Sequence, residues 1–191
     1  MKKFNLYKAL RPIIVGIVNF LYHPKVVGKE NIPEEGRIIL AGNHVHLLDC
    51  VLLAQTTNRQ VYCLAKKELF KGPLKAFFSG LGCIPVDRSG KGMESITKSC
   101  ELLNNEKCLG IFPEGTRNKS DALILPFKLG TIMIAKRGKS DIIPFAITGK
   151  YKLFKNDLKI TVGERIKIKD FSASEALEET ETRVKALILR K

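Results

Sequence analysis

Residues 37–55 read R-I-I-L-A-G-N-H-V-H-L-L-D-C-V-L-L-A-Q. The run 37–41 is short, apolar and β-branched, which predicts a buried strand. Positions 48–55 have the length and spacing of a helix turned toward a core. Between them lies a turn that holds two of the three histidines, His44 and His46. Strand, polar turn and helix then recur along the chain. Strand-like runs fall at 61–65, 83–86, 108–112 and 142–148, and helical patterns at 74–81, 93–104 and 129–137. Met93, Ile96, Cys100 and Leu103 line one face of the segment 93–104. Alternation of this kind predicts an α/β fold with a mixed, largely parallel central sheet flanked by helices. The last third adds strand-like runs at 158–162 and 165–168, close enough to suggest a hairpin around Gly163. A closing helix is announced by Ser172-x-x-Glu175, a capping box.

A chain of 191 residues makes one domain, with at most a small appendage. Apolar residues are 45% and charged residues 27%, which excludes a disordered or collagen-like chain. Lysine and arginine exceed aspartate and glutamate enough to give a net charge of +14. That excess favours anionic partners: nucleic acid, an acidic membrane face or phosphorylated small molecules. No helix-turn-helix, zinc-finger or RNP pattern accompanies the charge, so nucleic acid is not expected. The five cysteines are odd in number and lack CxxC spacing, and they read as reduced thiols of a cytoplasmic protein.

Residues 1–24 form a segment apart from the remaining 25–191. Lys2, Lys3, Lys8 and Arg11 precede an apolar run at 13–22. That run is about half the length a spanning helix needs, and it ends in Tyr22-His23-Pro24 rather than in a cleavage site. It fits an amphipathic helix in the membrane interface, with Phe4, Leu10, Ile13, Ile14, Ile17, Phe20 and Leu21 toward the acyl chains. The plainer alternative is a helix that packs on the core and never meets lipid. Pro12 would bend the helix or start a second one.

Three stretches hold residues suited to chemistry. His44 and Asp49 are five apart, about 140° around a helix, so they meet only if His44 sits in the turn before the helix and the chain folds back. A carboxylate on one ring nitrogen then leaves the other to accept a hydroxyl proton. Taken alone the pair also reads as a structural hydrogen bond, or, with His46 and Cys50, as a metal set that no second ligand cluster supports. The second stretch, F-P-E-G-T-R at 112–117, follows a strand directly, where α/β folds place ligands. Gly115 permits close backbone approach, Glu114 accepts hydrogen bonds, and the Arg117 fork suits phosphate. In the third, the strand 83–86 delivers Arg88 to its end, before S-G-K-G at 89–92, which lacks Walker A spacing. For each, the bland reading is a polar turn or a surface ion pair.

Taken together these blocks fall in a recognisable order: N-H-x4-D at 43–49, A-K-K-E-L at 65–69, G-x-I-P-V-D-R at 82–88, F-P-E-G-T-R at 112–117 and I-I-P-F-A-I at 142–147. The chain resembles the glycerolipid acyltransferases, most closely the bacterial 1-acyl-sn-glycerol-3-phosphate acyltransferases, over roughly residues 25–165. The resemblance implies transfer of an acyl group from acyl-CoA or acyl-carrier protein to lysophosphatidate, giving phosphatidic acid. It implies no bound cofactor or metal, and an anionic membrane surface at the cytoplasmic face of the cell membrane as partner. His44 would be the general base and Asp49 its orienting partner. Lys66, Arg88 and Arg117 would take the acceptor's phosphate, while Glu114, Gly115 and Thr116 shape its site, and the block 142–147 would line the acyl-donor side. Backbone N–H groups near Gly115 would receive the tetrahedral oxyanion, and transfer would be direct, without an acyl-cysteine. Glycerol 3-phosphate or a lysophospholipid as acceptor, and a non-catalytic basic membrane protein, stand as alternatives.

Overall fold

A computed structural model describes residues 5–86 and 93–190. The expectations placed on Lys2, Lys3, Phe4, Arg88 and the stretch 89–92 lie outside the described residues. The strands are β1 (Lys25–Val27), β2 (Ile38–Gly42), β3 (Val61–Lys66), β4 (Cys83–Val86), β5 (Cys108–Ile111), β6 (Ile142–Thr148) and β7 (Lys159–Val162). The helices are α1 (Leu6–Tyr22), α2 (Asp49–Gln55), α3 (Pro73–Gly80), α4 (Met93–Asn104), α5 (Gly130–Arg137) and α6 (Ala173–Leu189). The strands form one sheet in the order β1-β7-β6-β2-β5-β3-β4. From β6 to β4 every pairing is parallel; β7 runs antiparallel to β6, and β1 pairs parallel with β7. The fold is therefore α/β with a mixed, mostly parallel sheet flanked by helices.

The period-two alternation of β2 sets the layers. Ile38 and Leu40 join Leu52 and Leu53 of α2 and Val18 of α1 on one face. Ile39 and Ala41 join Leu103 of α4, Ile132 and Ile134 of α5 and Ala176 of α6 on the other. β2 is buried along its whole length, as a strand covered on both faces must be. The helices that follow β2 and β5 thus leave to opposite faces although these two strands are neighbours. Such a switch point opens a crevice at the carboxyl ends of the strands.

Two expectations need correction. The residues 165–168 form no hairpin partner for β7. Gly163 lacks the positive φ of a tight turn, and its N–H donates to Pro144 O, so the chain runs on beside β6. Ile166 then exchanges both backbone hydrogen bonds with Ile142. A Cβ at position 163 would lie 3.0 Å from Leu187 Cδ1, so the glycine serves a close helix approach. At the other end, of the two outcomes expected at Pro12 the second helix does not occur, because α1 runs through it from Leu6 to Tyr22. Arg11 points inward and donates to Ala54 O and Thr57 O, closing the carboxyl end of α2. α1 also buries Tyr7 and Val18, yet leaves Ile13, Ile17 and Phe20 more than half exposed.

Candidate active site

The crevice is built from the turn 43–48 after β2 and the long connection 112–129 after β5. Asp49 opens α2 and is fully buried. Its Oδ2 accepts from the N–H groups of Val45 at 2.7 Å and His46 at 2.8 Å, which folds the turn back over the helix start. The same oxygen lies 2.8 Å from His44 Nδ1. His44 is therefore outside the helix and meets the acid five positions on. A neutral imidazole held this way donates from Nδ1 and keeps Nε2 as an acceptor. Its ring stacks on Phe112, centroids 4.2 Å apart, and Phe112 meets Phe145 edge-on. Asn43 anchors the turn from below, donating to Ile147 O at 2.8 Å and accepting from Ile147 N at 2.7 Å.

Glu114 is nearly fully buried. One carboxylate oxygen accepts from His44 N at 2.7 Å and the other from Leu125 N at 2.8 Å, tying both loops together. Burial pushes its carboxyl above the ordinary carboxylate range, and the two N–H donors offset part of that rise. Its place is behind the histidine as a brace. Gly115 turns with φ +69°, and its N–H donates to Phe112 O at 3.0 Å. The turn closes on itself with that bond, so Gly115's own N–H is taken, and the expectation that backbone N–H groups near Gly115 receive an oxyanion falls to its neighbours. Lys128 Nζ covers the glycine instead; a Cβ there would sit 2.9 Å from it. Thr116 and Arg117 are exposed in the same connection, and Lys66 is exposed at the carboxyl end of β3, on the same end of the sheet.

A cavity of about 370 Å³ runs from His44 between the sheet and the helices α4 and α5. Its wall includes Leu64, Ile96, Ile111 and Ile134, and His44, Gly115 and Lys128 line it as well. Volume and lining suit an apolar ligand with one polar end. His46 accepts from Leu48 N–H and stacks on Tyr151, 4.1 Å between centroids, an arrangement unlike a metal ligand's. Among the described residues no group of three or more histidine, cysteine or acidic side chains is placed to hold a metal. Sequence reading missed the contacts of Asn43, Lys128 and Tyr151. Asn43 adjoined a recognised motif and had that signal; the other two are isolated polar residues in loops and had none.

A family model described as Acyltransferase matches residues 23–148. A 1-acyl-sn-glycerol-3-phosphate acyltransferase of Bacillus subtilis is 32% identical over 87% of this chain and 85% of its own length. The one from Helicobacter pylori is 36% identical over 63% of this chain and 52% of its own. The crystal structure of a 1-acyl-sn-glycerophosphate (LPA) acyltransferase from Thermotoga maritima shares the fold, with a TM-score of 0.70 over 96% of this chain and 83% of that one, at 24% identity. With the matched region spanning every strand from β1 to β6, the chain belongs to the acyltransferase family.

Proposed function

We propose that the chain transfers a fatty acyl group from acyl-CoA or acyl-carrier protein to the free hydroxyl of 1-acyl-sn-glycerol 3-phosphate. The product is phosphatidic acid, made at the cytoplasmic face of the membrane. The observation that carries this reading is the 2.8 Å contact between His44 Nδ1 and the buried Asp49 at the mouth of an apolar cavity. Nε2 of His44 takes the hydroxyl proton as the oxygen attacks the thioester carbonyl carbon. The tetrahedral intermediate collapses with cleavage of the C–S bond, and the imidazolium returns the proton to the departing sulfur. Lys128, which lines the same cavity as His44, would supply a cation to the oxyanion or the acceptor's phosphate. Lys66 and Arg117 take the phosphate at the open end, with Thr116 at its edge; Arg88, outside the described residues, keeps the same assignment from the sequence alone. Glu114 and Gly115 act through the shape of the loop. The cavity receives the acyl chain.

Both substrates partition into bilayers, and the surface suits that. Ile13, Ile17 and Phe20 on α1 are exposed beside Leu153 and Phe154, with Phe20 and Phe154 in edge contact at 5.9 Å. Lys150, Lys152 and Lys155 flank this apolar patch. Among the described residues no helix is long and apolar enough to cross a membrane, so the patch would lie in the interface. The test is a purified-protein assay offering each thioester against lysophosphatidate, glycerol 3-phosphate and a lysophospholipid. Phosphatidic acid should form, and His44→Ala should lose about 100-fold or more while keeping its circular dichroism. Full activity in that variant overturns the base assignment.

A further inference from the structure

Tyr151 reaches the dyad from outside every recognised motif. It sits three residues past the end of β6, in the run G-K-Y-K-L-F-K at 149–155. Its hydroxyl donates to Asp49 Oδ1 at 2.6 Å, the oxygen that His44, Val45 and His46 leave untouched. The ring is held on two sides: stacked on His46, and met edge-on by Tyr22 at the end of α1 with centroids 5.5 Å apart. Phe154 N donates to Leu21 O at 2.6 Å and ties the loop to the same helix.

A buried carboxylate with all its donors on one oxygen is free to twist, and its other oxygen would be a buried acceptor with no partner. The phenol supplies that partner. Burial, then the charge of Asp49, push its own ionisation far up, so it remains a donor wherever imidazole titrates.

We propose that Tyr151 is a positioning residue for acyl transfer, holding Asp49 in the plane where Oδ2 meets His44 and sharing the carboxylate's charge so that the imidazole gives up its proton readily. The proposal rests on the general-base reading of His44. Besides Tyr151, the ionisable groups around the pair are His46 in the turn, Cys50 on α2, Tyr22 on α1, Glu114 after β5 and Lys128 in the cavity wall. Tyr151→Phe removes none of them and keeps the ring with both its aromatic contacts.

The test measures kcat and KM against pH for Tyr151→Phe, His44→Ala, Asp49→Asn and the Asp49→Asn/Tyr151→Phe double variant, using lysophosphatidate and whichever thioester the wild-type protein accepts. Tyr151→Phe should lower kcat about tenfold, the size of a hydrogen bond to a charged group, with KM little changed. The acid limb of its profile should move to higher pH, because the full carboxylate charge then falls on the imidazolium. Added to Asp49→Asn, the substitution should cost little more. A wild-type profile in Tyr151→Phe with an inactive His44→Ala overturns the proposal and leaves the general base standing. A loss that leaves the limb in place and multiplies with Asp49→Asn also overturns it, making the ring mere packing. An active His44→Ala brings down both.

Discussion

Gly42 and Asn43, the two residues before the histidine, are each confined by β6. A Cβ on Gly42 would stand 2.2 Å from Phe145 O and 2.6 Å from the Phe145 ring, so Gly42→Ala must displace the strand that backs the site. Asn43 satisfies both backbone groups of Ile147 in a place water does not reach. Asn43→Ala leaves them unpaired and should cost about 2 kcal/mol or more in urea unfolding, with activity lost in proportion to the disordered turn. The cysteines invite a different experiment. Burial holds the thiols of Cys83 and Cys108 up to about 12, so both stay protonated near neutral pH. Iodoacetamide applied to the native protein at about pH 8 should leave them unmodified by peptide mass spectrometry, and should modify them after unfolding. Cys50 adjoins Asp49, but the proposed direct transfer would give it no covalent part. Cys50→Ala should keep turnover, and an acyl-Cys50 adduct trapped under turnover would count against direct transfer.

α6 shows how far element boundaries follow local chemistry. The Ser172 hydroxyl accepts from Glu175 N, and the Glu175 carboxylate accepts from Ser172 N at 2.8 Å. Ser172→Ala should cost about 1 kcal/mol, a fall in Tm of about 2–4 °C in a thermal melt. The Ser172 bonds hold the Glu175 carboxyl below its usual range, so the folded chain releases that proton more easily than the unfolded one. Its contribution is present above the ordinary carboxylate range and fades as pH falls through the lowered value. The stability gap between wild type and Glu175→Gln should narrow on acidification. The closing helix was readable because capping is short-range; β2, β5 and β6 were readable because burial on both faces leaves apolar runs, and the half-buried β3 and β4 because short apolar runs there end at polar turns. β1 has three residues and takes its pairing from β7, more than 130 positions away, so nothing local announces it. The segment 163–166 looked like a turn because its glycine answers to α6 rather than to a bend. The same division holds at the site: the His44–Asp49 spacing and the 112–117 block were visible as patterns, whereas the Tyr151 bond to Asp49 spans 102 positions in an unremarkable loop.

At the scale of the molecule, the proposed membrane contact would draw on both the charge of +14 and the exposed side of α1. Because α1 also buries Val18 and closes α2 through Arg11, removing it would open the core. Single substitutions are the cleaner probe. Phe20→Glu or Ile17→Glu should reduce sedimentation with phosphatidylglycerol vesicles, and raised salt should weaken wild-type binding. Binding indifferent to salt, to anionic lipid and to both variants would exclude the patch as the contact. The run of parallel strands has one more consequence. All of them enter the sheet from the side remote from His44, and the bend at Gly138 and Lys139 that leads into β6 lies on that side. Lys139 is the exposed residue of that bend, whereas Gly138 packs on Leu103, so a fluorophore carried on the Lys139 side chain would sit a strand's length from the chemistry and give a handle for tracking the enzyme while it turns over.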